Sequence, residues 1–298
     1  MYQTHALEYL YPGGAEEASH PVWSRRDLRL WWIDSAGQTL NRLDPMTGVN
    51  RSFPLPEAPR ALALADYGLL LVFPRGIHHF DPLTGALTLL RAWSEREQQR
   101  RITLGRVDSA GNFWLLATPT DEALHRFGLG NQLLRYDGSQ LQTLAPPTEM
   151  SHGLAFAPPG DRLYWLDRRR QVVWFGECDV VRGAVRAPQL IRQLQGIAGT
   201  PVDGVADAAG NYWLLMQQPG RLLQLNAQGD ILRQLELPGI TPTMLSFGGP
   251  RLDQLFITTS ARREDNANPG AGAVLRLYPG VQGRAEPLYV LQYQGAEV

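Results

Sequence analysis

The stretch GNFWLLAT at residues 111–118 returns as GNYWLLM at 210–216, and these two copies decide how the chain folds. Each follows the same turn, DSAGN at 108–112 and DAAGN at 207–211. Working outward, apolar-aromatic runs of the same kind appear as LRLWWID (28–34), YGLLLVF (67–73), DRLYWLD (161–167) and DQLFITTS (253–260). With Trp32, Leu71, Trp114, Trp165, Trp213 and Phe256 as matching positions, the spacings are 39, 43, 51, 48 and 43 residues. Most of these runs are followed by a second strand and an Asp- or Gly-containing turn: NRLDPMTG (41–48), HFDPLTG (79–85), LLRYDGS (133–139), LLQLNAQGD (222–230) and AVLRLYPG (273–280). Asp-Pro-x-Thr-Gly is turn chemistry, because Asp accepts backbone bonds, Pro presets φ and Gly supplies φ > 0. Units of this length with about four strands each are propeller blades. The expected fold is therefore all-β, a single six-bladed β-propeller over residues 1–298. A β-sandwich would not repeat one signature six times. Residues 94–101, SEREQQRR, are expected to form a solvated loop or a short helical turn.

Composition agrees and excludes other chemistries. Glycine and proline make up 52 of 298 residues, a surplus that suits many turns, and the 44% hydrophobic content can fill a core. All 28 basic residues are arginine. Without lysine there is no internal Schiff base and no Gly-Lys-Ser/Thr phosphate loop. A formal charge of −1 does not draw a polyanion, so nucleic acid is not expected as a partner. The lone Cys178 forbids an internal disulfide and a multi-cysteine zinc site. No run approaches the ~20 apolar residues needed to span a bilayer, and no leader is visible in MYQTHALEYLYPGG. A cytoplasmic protein without membrane partners is the expectation. The sequence contains no Gly-x-Ser-x-Gly elbow, and GLGNQ at 128–132 is not a dinucleotide fingerprint.

Five strings in order, over roughly residues 15–290, carry a family resemblance: PVW followed by LWWID and NRLDPMTG, RITLGRVDSAGNFW, SHGLAFAPPGDRLYWLD, PVDGVADAAGNYW and FGGPRLDQLFITTS. As a set they resemble the senescence marker protein/gluconolactonase/luciferin-regenerating enzyme family, six-bladed propeller lactonases that use calcium or zinc. The resemblance implies a site at the top of the central channel, where a glutamate, an asparagine and an aspartate hold one divalent cation. That ion polarises a lactone carbonyl and activates water.

Carried over residue by residue, Asp203 matches the aspartate and is expected as catalytic residue and metal ligand. His152 stands at the asparagine position as the second of both. Ser19 occupies the glutamate position, which leaves His20, or alternatively Glu17, as third ligand. Arg101 matches a substrate-binding arginine, Thr103 the neighbouring asparagine, and Leu104 a family aspartate. Ser19 and Asp121 (or Glu122) complete the expected substrate contacts. One carboxylate among imidazoles suits zinc or manganese better than calcium, which wants six to eight oxygens. A site with no metal at all is the other possibility. The expected activity is metal-assisted hydrolysis of a lactone or related cyclic ester, with a polar lactone or sugar-acid derivative as substrate. The alternative is a propeller that lost the calcium site and became a small-molecule or partner-binding module, or a metal-free biosynthetic enzyme. The tryptophans at the repeat positions are expected to be core rather than a ligand cage.

Overall fold

A computed structural model describes residues 7–120, 130–146, 148–261 and 270–292. Twenty-four strands form six four-stranded antiparallel sheets. After β1 (Glu8–Tyr11), blade 1 holds β2 (Ala18–Ser24), β3 (Arg29–Asp34), β4 (Thr39–Leu43) and β5 (Asn50–Pro54). Blade 2 holds β6 (Ala61–Leu64), β7 (Leu69–Phe73), β8 (Gly76–Phe80) and β9 (Leu87–Ala92). Blade 3 follows with β10 (Arg100–Val107), β11 (Phe113–Pro119), β12 (Gln132–Tyr136) and β13 (Leu141–Leu144). Blade 4 comprises β14 (His152–Ala157), β15 (Arg162–Asp167), β16 (Val172–Asp179) and β17 (Ala184–Gln193). Blade 5 comprises β18 (Thr200–Ala206), β19 (Tyr212–Gln217), β20 (Arg221–Leu225) and β21 (Ile231–Glu236). Blade 6 takes β22 (Pro242–Gly248), β23 (Gln254–Thr259) and β24 (Val274–Leu277), and its outer strand is β1. The first and last strands of the chain thus pair, Glu8 opposite Arg276, and close the ring. Closure spares the propeller an exposed join between its ends.

Trp32, Leu71, Trp114, Trp165, Trp213 and Phe256 each lie on the second strand of a blade, and all are at most 1% exposed. Second strands are buried on both faces and so read as unbroken apolar runs. Outer strands such as β9 and β17 are largely solvated. The aromatic residues fill the wedges between blades: Trp114 meets Phe156 of blade 4 edge-on, and Trp213 meets Phe247 of blade 6. Truncating one of these tryptophans would cost roughly 3–5 kcal/mol. The charged stretch at 94–101 forms one helical turn, α1 (Glu95–Gln98), with a Ser94–Glu97 capping box.

The first strands β2, β6, β10, β14, β18 and β22 touch one another and line the central channel. Their far ends are crossed by a strap, residues 282–290, pinned on both sides. On one side Gly283 N–H donates to Leu252 O and Ala208 N–H to Gln282 O; on the other Tyr289 N–H donates to Leu64 O and Val290 N–H to Gly111 O. Under the strap's midpoint lies a void of about 30 Å³ walled by Arg106, Phe247 and Glu286. That space holds about one or two waters, so no sugar-sized ligand fits beneath the strap's midpoint.

Candidate functional site

In five of the six channel strands the pairing slips near the end opposite the strap: β2 between Ser19 and Val22, β10 between Ile102 and Leu104, β14 between His152 and Ala155, β18 between Pro201 and Asp203, and β22 between Pro242 and Met244. Only β6 pairs without a break. Bulges re-aim side chains and recur beside active sites. Ser19, His20, Thr103, His152 and Asp203, the candidates named from the sequence, lie in or beside these bulges.

Asp203 is fully buried. Its Oδ2 accepts from Arg106 Nη2 at 3.2 Å and from the Leu245 N–H at 3.2 Å. Its Oδ1 is buried and has no hydrogen-bond partner among the described residues. Burial raises the carboxyl's pKa, and the Arg106 guanidinium and the Leu245 N–H pull it back down. Arg106 is itself 5% exposed and keeps its Nε–H unpartnered.

His20 occupies the bulge of β2 at φ +51°, a conformation sparsely populated by residues other than glycine, Asn, Asp and His. Its N–H reaches Met244 Sδ at 3.3 Å and its Nδ1 lies 3.2 Å from Ser19 Oγ, while Nε2 is buried without a partner. Burial, with a further push from the Arg106 charge, lowers its pKa to about 3. His152 is half-buried at the start of β14, its Nδ1 buried and unpartnered. Burial, then the charge of Arg168, lowers it to about 4. Both imidazoles are neutral at pH 7.

The glycines that follow the site residues have a shared cause. A Cβ on Gly204 would stand 2.1 Å from the Tyr212 ring and hydroxyl, and one on Gly153 2.3 Å from the same hydroxyl. Tyr212 lies across both and donates to Gly153 O at 2.7 Å, tying the blade 4 bulge to blade 5. His-Gly and Asp-Gly therefore reflect the room that one tyrosine needs. In blade 3 the same relation holds between Gly105 and Phe113, which has no hydroxyl to donate.

Thr103 is the bulged residue of β10, its hydroxyl 3.4 Å from Leu116 O. Arg101 lies two residues nearer the start of β10 and is exposed. Glu17 precedes β2, where its backbone pairs with Ser260 and its N–H donates to Asp34 Oδ1. Asp121 and Glu122 lie outside the described residues. The expected three-ligand centre of Asp203, His152 and His20, or with Glu17 in place of His20, is not assembled. Among the described residues no three His, Cys, Asp or Glu side chains form a group that could hold a metal ion. Arg106 occupies Asp203 Oδ2 and Ser19 lies against His20 Nδ1, which leaves only Asp203 Oδ1, His20 Nε2 and His152 Nδ1 open. The unpartnered atoms, two imidazole nitrogens and one carboxylate oxygen, match zinc or manganese in kind, whereas their arrangement is not that of a metal cage.

Arg106 and Tyr212 were not expected from the sequence. Arg106 was visible as a charge between Leu104-Gly105 and Val107 in the inner part of a strand, and such a charge needs a buried partner. Tyr212 was visible as the one difference between the GNFW and GNYW copies.

The chain is similar to known proteins over nearly its whole length. A 6-deoxy-6-sulfogluconolactonase of Pseudomonas putida is 34% identical over 90% of this chain and 93% of its own. The pentonolactonase XacC of Haloferax volcanii is 26% identical over 89% and 92%. Among solved structures, the calcium-binding protein regucalcin of Agrobacterium tumefaciens superposes with a TM-score of 0.84 at 23% identity, over 96% of this chain and 98% of that one. The profile described as the SMP-30/Gluconolactonase/LRE-like region matches residues 18–261. The chain belongs to that family.

Proposed function

We propose that this protein hydrolyses a sugar-derived lactone at the end of its channel opposite the strap, with Asp203 as the group that takes the proton from water. One observation carries the reading: a fully buried aspartate with one oxygen pinned by Arg106 and Leu245 and the other left without a hydrogen-bond partner among the described residues. A buried polar atom calls for a hydrogen-bonding partner, and a water or substrate hydroxyl supplies one. The two lactonases among the relatives support lactones as the substrate class.

In the reaction, water oxygen bonds to the lactone carbonyl carbon while Asp203 Oδ1 accepts its proton. The ring C–O bond then breaks, the proton passes to the departing alkoxide, and an open-chain hydroxy acid leaves. Neutral His152 can donate one hydrogen bond and accept another, which suits it to hold the water or the carbonyl oxygen. Ser19 and Thr103 offer hydroxyls to the sugar, and Arg101 a charge.

The test is a lactone panel assayed with chelator-treated protein and again with added Zn²⁺, Mn²⁺ or Ca²⁺. Turnover of at least one member is expected, and Asp203→Asn should lower kcat/KM by roughly 10²–10⁴. Absence of turnover on every lactone with every ion, or an Asp203→Asn enzyme as active as wild type, would overturn the proposal and favour a binding module.

A further inference from the structure

Beneath the midpoint of the strap, charged side chains from a channel strand and from the strap itself converge on one small void. Arg106 comes from the end of β10, and Arg284 and Glu286 from the strap; all three line the void of about 30 Å³, with Phe156 and Phe247 among its apolar walls. Arg106 is 5% exposed. Its Nη2 donates to Asp203 at 3.2 Å and its Nη1 to Gly105 O at 3.4 Å, which leaves the buried Nε–H without a partner among the described residues. Arg284 Nη1 is likewise buried and without one. The strap is seated tightly here: a Cβ on Gly283 would stand 2.0 Å from the Phe247 ring, and the Gly283 N–H donates to Leu252 O at 2.7 Å.

Two guanidinium N–H groups removed from solvent call for acceptors, and a charged donor left without one is costly. Voids lined by polar groups take up water, whereas apolar ones stay dry. The space suits one water or one monatomic anion. The Glu286 carboxylate decides between them, because it repels an anion and accepts a hydrogen bond that water can donate. Buried waters make about three hydrogen bonds, and two donors with one acceptor supply that number.

We infer that the void holds one buried water, which accepts from Arg106 Nε–H and Arg284 Nη1–H and donates to Glu286, and that Glu286 and Arg284 are positioning residues for Asp203. The inference rests on the lactonase reading for its kinetic part; the water itself follows from the void and its lining. Arg106 is then held from two sides, with Nη2 on Asp203 and Nε on the water beneath the strap. Neither strap residue meets substrate in the void, which is too small for a sugar. Both act through Arg106.

A crystal structure of the wild-type protein that shows ordered water, with a second crystal soaked in bromide, tests the water directly. Density for one water within hydrogen-bond distance of Arg106 Nε, Arg284 Nη1 and Glu286 is expected. No density there, or an anomalous bromide signal in the void, would overturn the inference. Kinetics test the positioning. Glu286→Leu should lower kcat roughly tenfold with KM nearly unchanged, because a displaced Arg106 misplaces Asp203. Glu286→Gln keeps an acceptor oxygen for the water and should recover most of that loss. In an Arg106→Met background Glu286→Leu should lower kcat no further, since the residue it acts through is gone. An effect confined to KM, or one that adds in full to that of Arg106→Met, would overturn the positioning role while leaving the lactonase reading intact. Should Glu286→Leu not fold, Arg284→Met carries the same cycle with the same expected outcomes. Should no lactone react, the lactonase reading falls and crystal structures still decide. Glu286→Leu or Arg284→Met should then show Arg106 Nη2 moved away from Asp203, and an unmoved guanidinium would overturn the inference.

Discussion

Asp203 and Asp207 stand four residues apart on the same blade, and both are at most 1% exposed, yet their surroundings are opposite in kind. Asp207 is saturated. Its Oδ1 accepts from the N–H groups of Ala209 and Asn211 at 3.0 and 2.9 Å, and its Oδ2 from Trp213 Nε1 at 3.0 Å and Gln224 Nε2 at 2.8 Å. Asp203 has two donors on one oxygen and, among the described residues, none on the other. Asp108 in blade 3 repeats the Asp207 arrangement, with Ala110, Asn112 and Trp114 as donors. The lesson is that burial alone does not mark a functional carboxylate. A saturated aspartate holds a turn to its tryptophan; an unsaturated one beside a guanidinium keeps an oxygen available for chemistry.

The largest effect that can test this contrast is on stability. Asp207→Ala removes an acceptor from buried indole, amide and backbone donors and should cost about 3–5 kcal/mol, lowering Tm by about 10 °C or more. Asp203→Asn keeps the shape and should cost about half as much or less, while removing activity. Comparable stability losses in thermal melts, or an active Asp203→Asn, would break the distinction.

Arg106 sharpens the same contrast. Arg106→Met leaves Asp203 buried without its counter-charge, which favours the protonated acid, and kcat should fall roughly a hundredfold. Arg106→Lys restores the charge, and its kcat should fall by only about tenfold. Steady-state kinetics of both variants, with circular dichroism to confirm folding, separate a positioning role from bulk destabilisation.

A smaller effect is expected from pH. His152 and His20 titrate near 6.5 when unfolded but at about 4 and about 3 in the fold. Between these limits the unfolded chain binds more protons, so stability is fully present above pH 6.5 and declines as pH falls toward 4 and then 3. Asp203, raised, gives the opposite slope: its folded form binds the proton first, which offsets part of the acid loss. Denaturant unfolding at pH 7, 5.5 and 4.5 should show the decline, and His20→Gln should remove about one proton of that dependence. An unaltered slope in the variant would show that His20 is not neutral by burial.

The blade repeat was legible because it depends on local rules. Asp-Pro-x-Thr-Gly and Asp-x-x-Gly-Asn make turns wherever they occur, and the aromatic runs announce strands buried on both sides. The positions chosen as equivalent, from Trp32 to Phe256, all fall on second strands. Asp203, His152, His20, Ser19 and Thr103 were legible as channel residues because they adjoin recognisable strings, and they lie in or beside the bulges. Their roles were less legible. The distance from Arg106 to Asp203 spans 97 residues of sequence and follows only from how blades 3 and 5 face across the channel. The expected metal triad failed to assemble for the same reason: which atoms remain open is decided by neighbours that spacing does not reveal.

By itself, then, the sequence determined the fold class, the count of six blades, the absence of lysine chemistry and the family, since these rest on periodicity, composition and contiguous strings. Only the tertiary structure decided that Asp203 shares its charge with Arg106, that Tyr212 requires both site glycines and that a strap crosses one end of the channel. Those are contacts between residues far apart in the chain, and ring closure alone determines them.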